Sequence, residues 1–404
     1  MSALSGPVVY LNPRRAKPFF LRHPWVFSGA AARIAGSPEK GAIVTVADAN
    51  GKFIGRGIYN ADSQILVRLL TWDADEAVDD AFWRRRLEAA LRLRRDVLRL
   101  PEIADAYRLV FSESDRLPGL IVDRYADFLV VQFLAAGMAA HQEKLLDLLM
   151  EIASPKGIYD RSDDESAEKE GIPASRGVRR GEAPQGPVEI SVRRTKFLVD
   201  IAGGQKTGFF LDQSGNRAAA AAHLKGRSVL DAFSYTGAFG ITAAVLGGCG
   251  PVLALDRSAP ALELARRNFE INGVTQFETR PAQIADELRE LKKSGRKFGA
   301  VILDPPKFAR SRPGVARALR AYRDLNLLAM QLLEEDGILV TCSCSGHVSP
   351  DDFLQMVNES AVAAGATVQI LERRGQAADH PVISSCAETA YLKCFICRVG
   401  RTLR

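Results

Sequence analysis

The sequence lacks any apolar run of the roughly 18 residues that a membrane-spanning helix needs. Its first segment, MSALSGPVVYLNPRRAK, also lacks the apolar stretch of a secretory signal peptide. Both absences predict a cytoplasmic protein with no membrane partner. The 404 residues are 47% hydrophobic and 25% charged, a composition typical of a globular chain, and the length predicts two or three domains.

Cysteine is scarce. The cysteines all lie in the C-terminal half, at Cys249, Cys342, Cys344, Cys386, Cys394 and Cys397. Few and scattered thiols in a reducing compartment are typical of free cysteines and not of disulfides. The Cys-x-Cys and Cys-x-x-Cys spacings among them resemble zinc ligands, but YLKCFICRV has the pattern of an apolar strand and not of a ligand-bearing turn. We therefore expect no metal site.

Two glycine-rich nucleotide signatures are also missing. The segment DAFSYTGAFG follows an apolar strand but has neither the first glycine of GxGxxG nor the Lys-Ser/Thr pair of a phosphate-binding loop. This absence argues against a dinucleotide-dependent oxidoreductase, which would share the fold predicted below. Gly237 still allows the backbone to approach a ligand at the start of the next helix.

Positive charge is in excess, with a formal net charge of +6 that favours a polyanionic partner such as RNA without specifying it. Residues 1–74 contain short β-branched runs, GAIVTVAD and QILVRLL, joined by a turn region rich in glycine and asparagine. This pattern predicts a small β-barrel.

Residues 75–194 mix helix and strand patterns. A helix predicted over 79–100 has an apolar stripe and a separate basic stripe. The apolar stripe is Trp83, Leu87, Leu91 and Leu98, and the basic stripe is Arg85, Arg92, Arg95 and Arg99. The basic stripe is explained equally well by solvent exposure and by contact with RNA phosphates. Residues 160–187 are charged and rich in glycine and proline, which predicts an exposed loop or hairpin.

From residue 195 onward strands and helices alternate. The apolar segments RSVLDAF, PVLALD, FGAVILD and GILVTCSC are typical of buried parallel strands, and helical patterns separate them. The pattern predicts an open, doubly wound α/β sheet, closed by an antiparallel hairpin of TVQILERR and AYLKCFICRV.

Ligands bind such sheets beyond the carboxyl ends of the strands. Asp256 lies 25 residues after Asp231, about where a carboxylate holds ribose hydroxyls, although it could instead cap the next helix. The segment LDPPKF predicts a rigid strand-end turn that aims Asp304 into the crevice, with Phe308 available to stack on a planar substrate. One strand later, VTCSCS places Cys344 at the strand tip.

These segments, together with HPWVFSGA, SDRLPGLIVDRY, GQKTGFFLDQ and QAADHPV, resemble the cytosine-C5 methyltransferases of large-subunit ribosomal RNA that carry an N-terminal PUA domain. The resemblance covers nearly the whole chain. It implies a Rossmann-like class I methyltransferase sheet over 195–404, a PUA-like β-barrel over 1–74 and a small α+β middle domain over 75–194. It also implies S-adenosylmethionine as cofactor and RNA as partner.

The resemblance assigns the cofactor to one set of residues: Lys206, Phe209, Phe233, Tyr235, Gly237, Asp256, Gln283 and Asp304. Gln283 departs from the family, whose members commonly carry an aspartate near this position. Its amide oxygen can still accept from the adenine amino group, but the departure puts this contact in doubt. The loop GGQKTGFFLDQ, at 203–213, would close the ligand pocket.

The resemblance also implies the chemistry. Cys344 would add to carbon 6 of a cytosine swung out of its helix, while Asp304 would hold the edge of the pyrimidine. The residues expected at the substrate are Pro305, Pro306, Lys307, Phe308 and His380. Many other RNA cytosine-C5 methyltransferases place a second cysteine where this chain has Lys307, which leaves the base for the elimination step unassigned.

Other activities fit part of the pattern. A DPP-type turn also serves methylation of guanine or adenine nitrogens, which needs no Cys344, and a PUA-like barrel beside an inactive sheet would bind RNA without reacting. The sequence also leaves open whether two chains associate as a homodimer.

Overall fold

The computed structural model describes residues 6–162, 168–172, 175–309 and 311–401. The chain forms two compact units. The first is Met1–Val188 with Val199–Leu211 and Asp379–Thr389, and the second is Glu189–Leu198 with Asp212–Ala378 and Ala390–Arg404. The division into 1–74, 75–194 and 195–404 stays a prediction. In the part of the chain that the model describes, we find no helix with the length and apolar character of a membrane span.

The first unit begins with a mixed sheet in which β1 pairs parallel with β4 and the other neighbours pair antiparallel. Its strands are β1 Val8–Leu11, β2 Trp25–Phe27, β3 Ala31–Ala35, β4 Ile43–Ala47, β5 Phe53–Tyr59 and β6 Ile65–Thr71, with helix α1 at Lys17–Phe20. The strand order is β2-β6-β5-β4-β1-β3. The predicted strands GAIVTVAD and QILVRLL are β4 and β6, and their valine and leucine side chains pack into one core.

A second sheet of the first unit packs against helices and has the strand order β11-β10-β9-β8-β7. Its strands are β7 Ala106–Phe111, β8 Leu120–Tyr125, β9 Phe128–Phe133, β10 Gly157–Arg161 and β11 Arg176–Gly181; the helices are α2 Asp80–Arg92, α3 Ala136–Ala140 and α4 Gln142–Ala153. The predicted hairpin over 160–187 is confirmed where β11 pairs antiparallel with β10. The rest of that prediction falls partly on 163–167 and 173–174, outside the described residues.

The helix predicted over 79–100 is correct only as far as Arg92. Its N-cap is Asp79, whose side chain accepts from the Phe82 backbone N–H at 2.8 Å. A π-helical turn, Leu93–Val97, then replaces the α-helix. The turn directs Arg94 into the protein, where its guanidinium donates to the carbonyl oxygens of Ala90 and Arg108 and bonds Oδ1 of Asp115 at 2.6 Å.

The second unit contains a sheet with the strand order β16-β15-β14-β17-β18-β20-β19, parallel except for β20, which runs antiparallel to both of its neighbours. The strands are β14 Val229–Ala232, β15 Val252–Asp256, β16 Phe277–Pro281, β17 Phe298–Leu303, β18 Leu333–Ser343, β19 Ala366–Arg374 and β20 Lys393–Arg401. The helices are α5 Ser214–Ala221, α6 Ala238–Gly247, α7 Ala259–Ile271, α8 Ile284–Lys293, α9 Val315–Leu332 and α10 Pro350–Ala364. A hairpin of β12 Val188–Val192 and β13 Thr195–Val199 precedes them.

This order confirms the predicted doubly wound sheet and its terminal antiparallel hairpin. Strand order reverses between β14 and β17, and at such a switch point the carboxyl ends of the strands open a crevice. β14 and β17 are buried along their whole length, as their uninterrupted apolar sequences predicted. Helix α9 ends at Leu332, because the backbone becomes extended at Leu333 and begins β18 there.

Candidate active site

Three carboxylates stand at or near the carboxyl ends of adjacent strands in the second unit. Asp231 is in β14, Asp256 ends β15 and Asp304 follows β17. Burial raises the pKa of Asp231 to about 7, and the charges of Asp304 and Asp256 add to the shift although the Gly240 backbone N–H opposes it. The three carboxylates therefore interact electrostatically, and a cationic ligand would favour their ionised forms.

Sequence reasoning used Asp231 only to measure spacing and missed it as a site residue. The signal was present, because Asp231 is the one charged residue inside the apolar segment RSVLDAF after its first arginine. Carboxylates are almost never fully buried without a partner. Here Oδ2 of Asp231 accepts a single backbone hydrogen bond, from Gly240 at 2.9 Å.

Asp256 fixes the turn that follows β14. Its Oδ2 accepts the backbone N–H of Tyr235 at 2.9 Å, and its Oδ1 accepts the backbone N–H of Ser258 at 2.8 Å. The alternative role considered for Asp256, capping the next helix, belongs to Ser258, whose hydroxyl accepts from the N–H of Ala261. Asp256 therefore ties two strand tips together, and its contact with a ribose stays a prediction.

The FSYTG turn carries backbone strain. Phe233, Tyr235 and Gly237 all have positive φ, at 65°, 50° and 79°, and such conformations in residues other than glycine cluster at ligand sites. Gly237 is also closely packed, because a Cβ there would lie 3.1 Å from the Phe269 ring. The turn thus holds a strained backbone at the strand tips, directly before α6.

Gln283 lies at the end of the same row of strands. It follows β16 and is the exposed N-cap of α8, and its side chain makes no capping hydrogen bond. It therefore lies beside the tip of β15, with which β16 pairs. Its contact with adenine stays a prediction.

A buried chain of hydroxyls joins the two predicted catalytic segments. Ser343 Oγ donates to the Tyr322 hydroxyl at 3.0 Å, and that hydroxyl shares a 3.1 Å hydrogen bond with Ser345 Oγ. Ser345 Oγ also accepts the backbone N–H of Ala309 at 3.1 Å. The residues flanking Cys344 are thereby bonded to the loop that begins at Asp304, so both predicted catalytic residues belong to one fixed substructure.

The LDPPKF loop is partly exposed. Pro305 is buried, Pro306 and Lys307 are exposed, and Asp304 and Phe308 are half-buried. The ring of Phe308 lies 4.8 Å from that of Tyr322 at an interplanar angle of 49°. Tyr322 therefore supports this aromatic side chain from α9, a role that the sequence gave no reason to expect.

The two cysteines of VTCSCS differ in environment. Cys342 is fully buried in β18 opposite Cys394 of β20, and burial raises its pKa well above the usual value for a thiol. Cys344 follows the last residue of the strand and is half-buried. A reactive cysteine needs access and a stabilised thiolate, so this contrast favours Cys344 over Cys342 as a nucleophile.

Lys206 and Phe209 belong to the first unit, in the segment Val199–Leu211. Lys206 has positive φ, 51°, and its Nζ lies 4.3 Å from the centre of the Phe210 ring. Phe209 is buried, and its backbone N–H donates to the Tyr125 hydroxyl at 3.2 Å. These two residues are thus ordered parts of the first unit, and their contact with a cofactor stays a prediction.

His380 also belongs to the first unit and is buried there. Its Nδ1 lies 2.9 Å from Oδ1 of Asp379, and its ring packs at 5.2 Å from Phe111. Although burial alone would raise it, His380 and Arg108 hold the pKa of Asp379 below its usual value. The imidazole is therefore oriented by a carboxylate, and its place beside a target base stays a prediction.

One cluster elsewhere has metal-ligating chemistry. His23 Nε2 lies 3.6 Å from Glu388 Oε2, and Cys386 Sγ lies 3.5 Å from the same oxygen. However, His23 Nδ1 accepts the Trp25 backbone N–H at 3.2 Å, so the proton of the neutral ring is on Nε2, the atom a metal would need. This tautomer opposes a metal at the cluster, and we assign none.

Two family models match the chain. A PUA-like domain matches residues 9–72, and an S-adenosylmethionine-dependent methyltransferase matches residues 179–398. The second match covers more than half of the chain.

Known proteins are similar to this chain over nearly its whole length. The Ribosomal RNA large subunit methyltransferase I of Erwinia tasmaniensis is 44% identical over 95% of this chain and 97% of its own length. That of an Enterobacter species is 42% identical over 96% of this chain and 98% of its own length. A crystal structure described as a methyltransferase complexed with SAH superposes with a TM-score of 0.84 at 18% identity, over 97% of this chain and 99% of its own, which shows the shared fold. A Streptococcus mutans protein described as SAM-dependent gives 0.82 at 17% identity over the same shares.

Proposed function

This chain belongs to the family of ribosomal RNA large subunit methyltransferase I, and on that premise we propose that it forms 5-methylcytosine in large-subunit ribosomal RNA through the thiolate of Cys344. The relatives' name supplies the ribosomal substrate, and the geometry around Cys344 supports the cytosine chemistry. We expect the reaction to take place in the cytoplasm, on RNA that the PUA-like domain helps to hold.

The strand tips fit the family's cofactor. S-adenosylmethionine, when bound, supplies an electrophilic methyl group on a positively charged sulfonium. Carboxylates lie at neighbouring strands, at Asp231, Asp256 and Asp304. Burial removes water from Asp231, so its ionised form would be stabilised by a nearby positive charge. We propose that the FSYTG turn contacts the methionine portion, that Asp256 holds the ribose and that Gln283 meets the adenine. For Lys206 and Phe209, contact with the cofactor is proposed from the family resemblance alone.

Carbon 5 of cytosine is a weak nucleophile, so the protein must activate it. The Cys344 thiolate adds to carbon 6, and the electron pair displaced from the ring double bond makes carbon 5 nucleophilic. Asp304 accepts a hydrogen bond from the pyrimidine edge and favours the protonated ring. After carbon 5 is methylated, its proton leaves to a base, the bond from sulfur to carbon 6 breaks, and aromaticity returns.

The buried hydroxyl chain from Ser343 through Tyr322 and Ser345 to Ala309 carries this proposal. It bonds the segment that contains Cys344 to the loop that begins at Asp304, within one unit. Such a fixed arrangement allows Cys344 to attack carbon 6 while Asp304 holds the edge of the pyrimidine. Both residues come from the same chain, so the proposal does not require the homodimer that the sequence left open. Static light scattering of the purified protein measures that association directly.

The test uses large-subunit RNA from cells that lack the protein, incubated with the purified chain and labelled cofactor. We expect Cys344→Ala to abolish methylation and Cys249→Ala, at another half-buried thiol, to retain it. Mass spectrometry of the nucleosides should identify 5-methylcytosine. If Cys344→Ala methylates at the normal rate, or if the product is a guanine or adenine methylated on nitrogen, the thiolate proposal is wrong.

A further inference from the structure

Lys393 is a buried lysine at the predicted nucleophile. It begins β20 and pairs in register with Ser343, the last residue of β18. Its Nζ donates to the carbonyl oxygen of Ser345 at 2.6 Å and to that of Tyr391 at 3.0 Å. Because Ser343 and Ser345 flank Cys344, the ammonium is anchored to the backbone on which the thiol is carried.

The surroundings of this ammonium are unusual for a buried cation. Among the described residues no carboxylate forms an ion pair with it. The charged and titratable groups that act on it are Cys344 and Lys307, and burial lowers the pKa of Lys393 to about 8, with Cys344 opposing the shift and Lys307 adding to it. Burying a cation beside carbonyl dipoles alone costs free energy that an apolar side chain would not.

We propose that Lys393 is a positioning residue whose ammonium stabilises the thiolate of Cys344. The proposal rests on the proposed function, in which Cys344 reacts as a thiolate. That thiolate would give the buried Lys393 ammonium an opposite charge, which no carboxylate among the described residues provides. The Cys344 thiol loses its proton to solvent, and the negative charge left on sulfur faces a positive charge that two carbonyl bonds hold in place. A cation near a cysteine is a recognised means of raising the thiolate fraction at neutral pH.

The other neighbouring groups would not stabilise the Cys344 thiolate. Lys307 is exposed, so solvent screens its charge. Tyr322 also faces Cys344, but burial raises the pKa of its phenol, which therefore stays neutral near pH 7. Asp304, which acts on Cys342, would carry negative charge and oppose a thiolate. Lys393 is thus a desolvated cation that is fixed to the backbone segment that carries this thiol.

The test measures the rate at which iodoacetamide alkylates Cys344 in the intact chain as a function of pH, by mass spectrometry of the peptide that contains it. Sulfur displaces iodide, so the rate follows the thiolate fraction. We expect Lys393→Met to raise the midpoint by ~1 pH unit or more, since a facing opposite charge shifts a pKa by about that amount. Lys393→Arg should keep most of the wild-type midpoint. Lys225→Met, at an exposed lysine of the same unit, should leave it unchanged.

A second measurement avoids mutating the buried lysine. Coupling is reciprocal, so removing the ionisable thiol with Cys344→Ser should lower the titration midpoint of Lys393, followed by NMR of the ¹⁵Nζ-labelled side chain. A midpoint for Cys344 that is equal in wild type and Lys393→Met, or a midpoint for Lys393 that is equal in wild type and Cys344→Ser, overturns the inference.

These outcomes are separable from failure of the proposed function. If Cys344→Ala remains active while Lys393→Met shifts the alkylation midpoint of Cys344, the cytosine chemistry is refuted and the coupling stands. An inactive Cys344→Ala enzyme with no shift in Lys393→Met would refute the coupling alone.

Discussion

The backbone N–H of Arg108 donates to Oδ2 of Asp379 at 2.8 Å, across 271 positions of sequence. The side chain of the same arginine bonds both carboxylate oxygens of Asp123 at 2.7 Å, and Asp123 accepts the Thr207 hydroxyl at 2.6 Å. Two chain segments of the first unit, the one with Lys206 and Phe209 and the one with His380, are therefore joined to the same β-sheet by one buried network.

We expect Asp123→Ala to lower the free energy of unfolding by about 3–5 kcal/mol, because it leaves the Arg108 guanidinium without its buried counter-charge. Asp127→Ala is the control, since its pair with Lys156 is more than half exposed and such pairs contribute about 0–1 kcal/mol. Urea denaturation measures both. Equal losses in the two variants would show that the network does not hold the segments.

The raised pKa of Asp231 predicts a pH-dependent stability. The folded state binds a proton between the ordinary value of 3.8 and about 7, whereas the unfolded chain has lost it. The stabilisation that this proton provides is complete below pH 3.8 and is lost as pH rises to about 7, at about 1.36 kcal/mol for each pKa unit. We therefore expect Asp231→Asn to gain stability relative to wild type between pH 5 and 8. A difference independent of pH would exclude the shift.

The same carboxylate should make cofactor affinity depend on pH. Ionised Asp231 attracts a cation, so we expect affinity for S-adenosylmethionine to rise by on the order of tenfold between pH 6 and 8, for a shift of one pKa unit. S-adenosylhomocysteine, which lacks the sulfonium charge, is the matched control and should show a flatter profile. Calorimetric titration of both ligands measures the difference. Parallel profiles would place the sulfonium away from Asp231.

A side chain at Gly237 should cost more stability than one at Gly248. Both Gly237 and Gly248, at the two ends of α6, have positive φ, but a Cβ at Gly248 would meet nothing within 4 Å. We expect Gly248→Ala to cost about 1–2 kcal/mol from backbone strain alone, and Gly237→Ala to cost more because of its contact with Phe269. Thermal unfolding compares them. Only Gly237→Ala should also weaken cofactor binding.

The basic stripe on α2 and the turn after it can be tested by salt. Arg92, Arg95 and Arg99 are exposed, and each lies within 3.9 Å of a carboxylate close to it in sequence. If they contact phosphates, replacing all three with glutamine should reduce the slope of log affinity against log salt by ~2, at about 0.7 per contact. Arg266 and Arg289 have similar local partners in the second unit and serve as the control pair. An unchanged slope would identify the stripe as a solvated face.

The sequence predicted the elements whose burial pattern is continuous. β14 and β17 carry apolar residues on both faces, so their sequences identify them without knowledge of their neighbours. The prediction from sequence was wrong where a local pattern fits two structures. The basic stretch after Arg92 continues the helical period, but the π-turn that buries Arg94 depends on Asp115, which is distant in the chain.

The site was predicted unevenly for the same reason. Asp304 and Cys344 directly follow the last residues of β17 and β18, and the position of a strand end is visible in sequence. Tyr322 in a helix and Lys393 at the start of a strand have ordinary local surroundings. Both residues form hydrogen bonds with Ser345, and their proposed roles rest on these contacts, which only the packed sheet brings about.

The antiparallel placement of β20 between β18 and β19 has a consequence for biosynthesis. Strand β18 ends at Ser343, next to the proposed nucleophile, and its partner β20 is synthesised after β19 although it lies between β18 and β19. Until β20 inserts, β18 is an exposed edge strand with unpaired backbone groups and apolar side chains, which can pair with other nascent chains. A premature stop before Lys393 should therefore yield aggregates instead of a partly working enzyme.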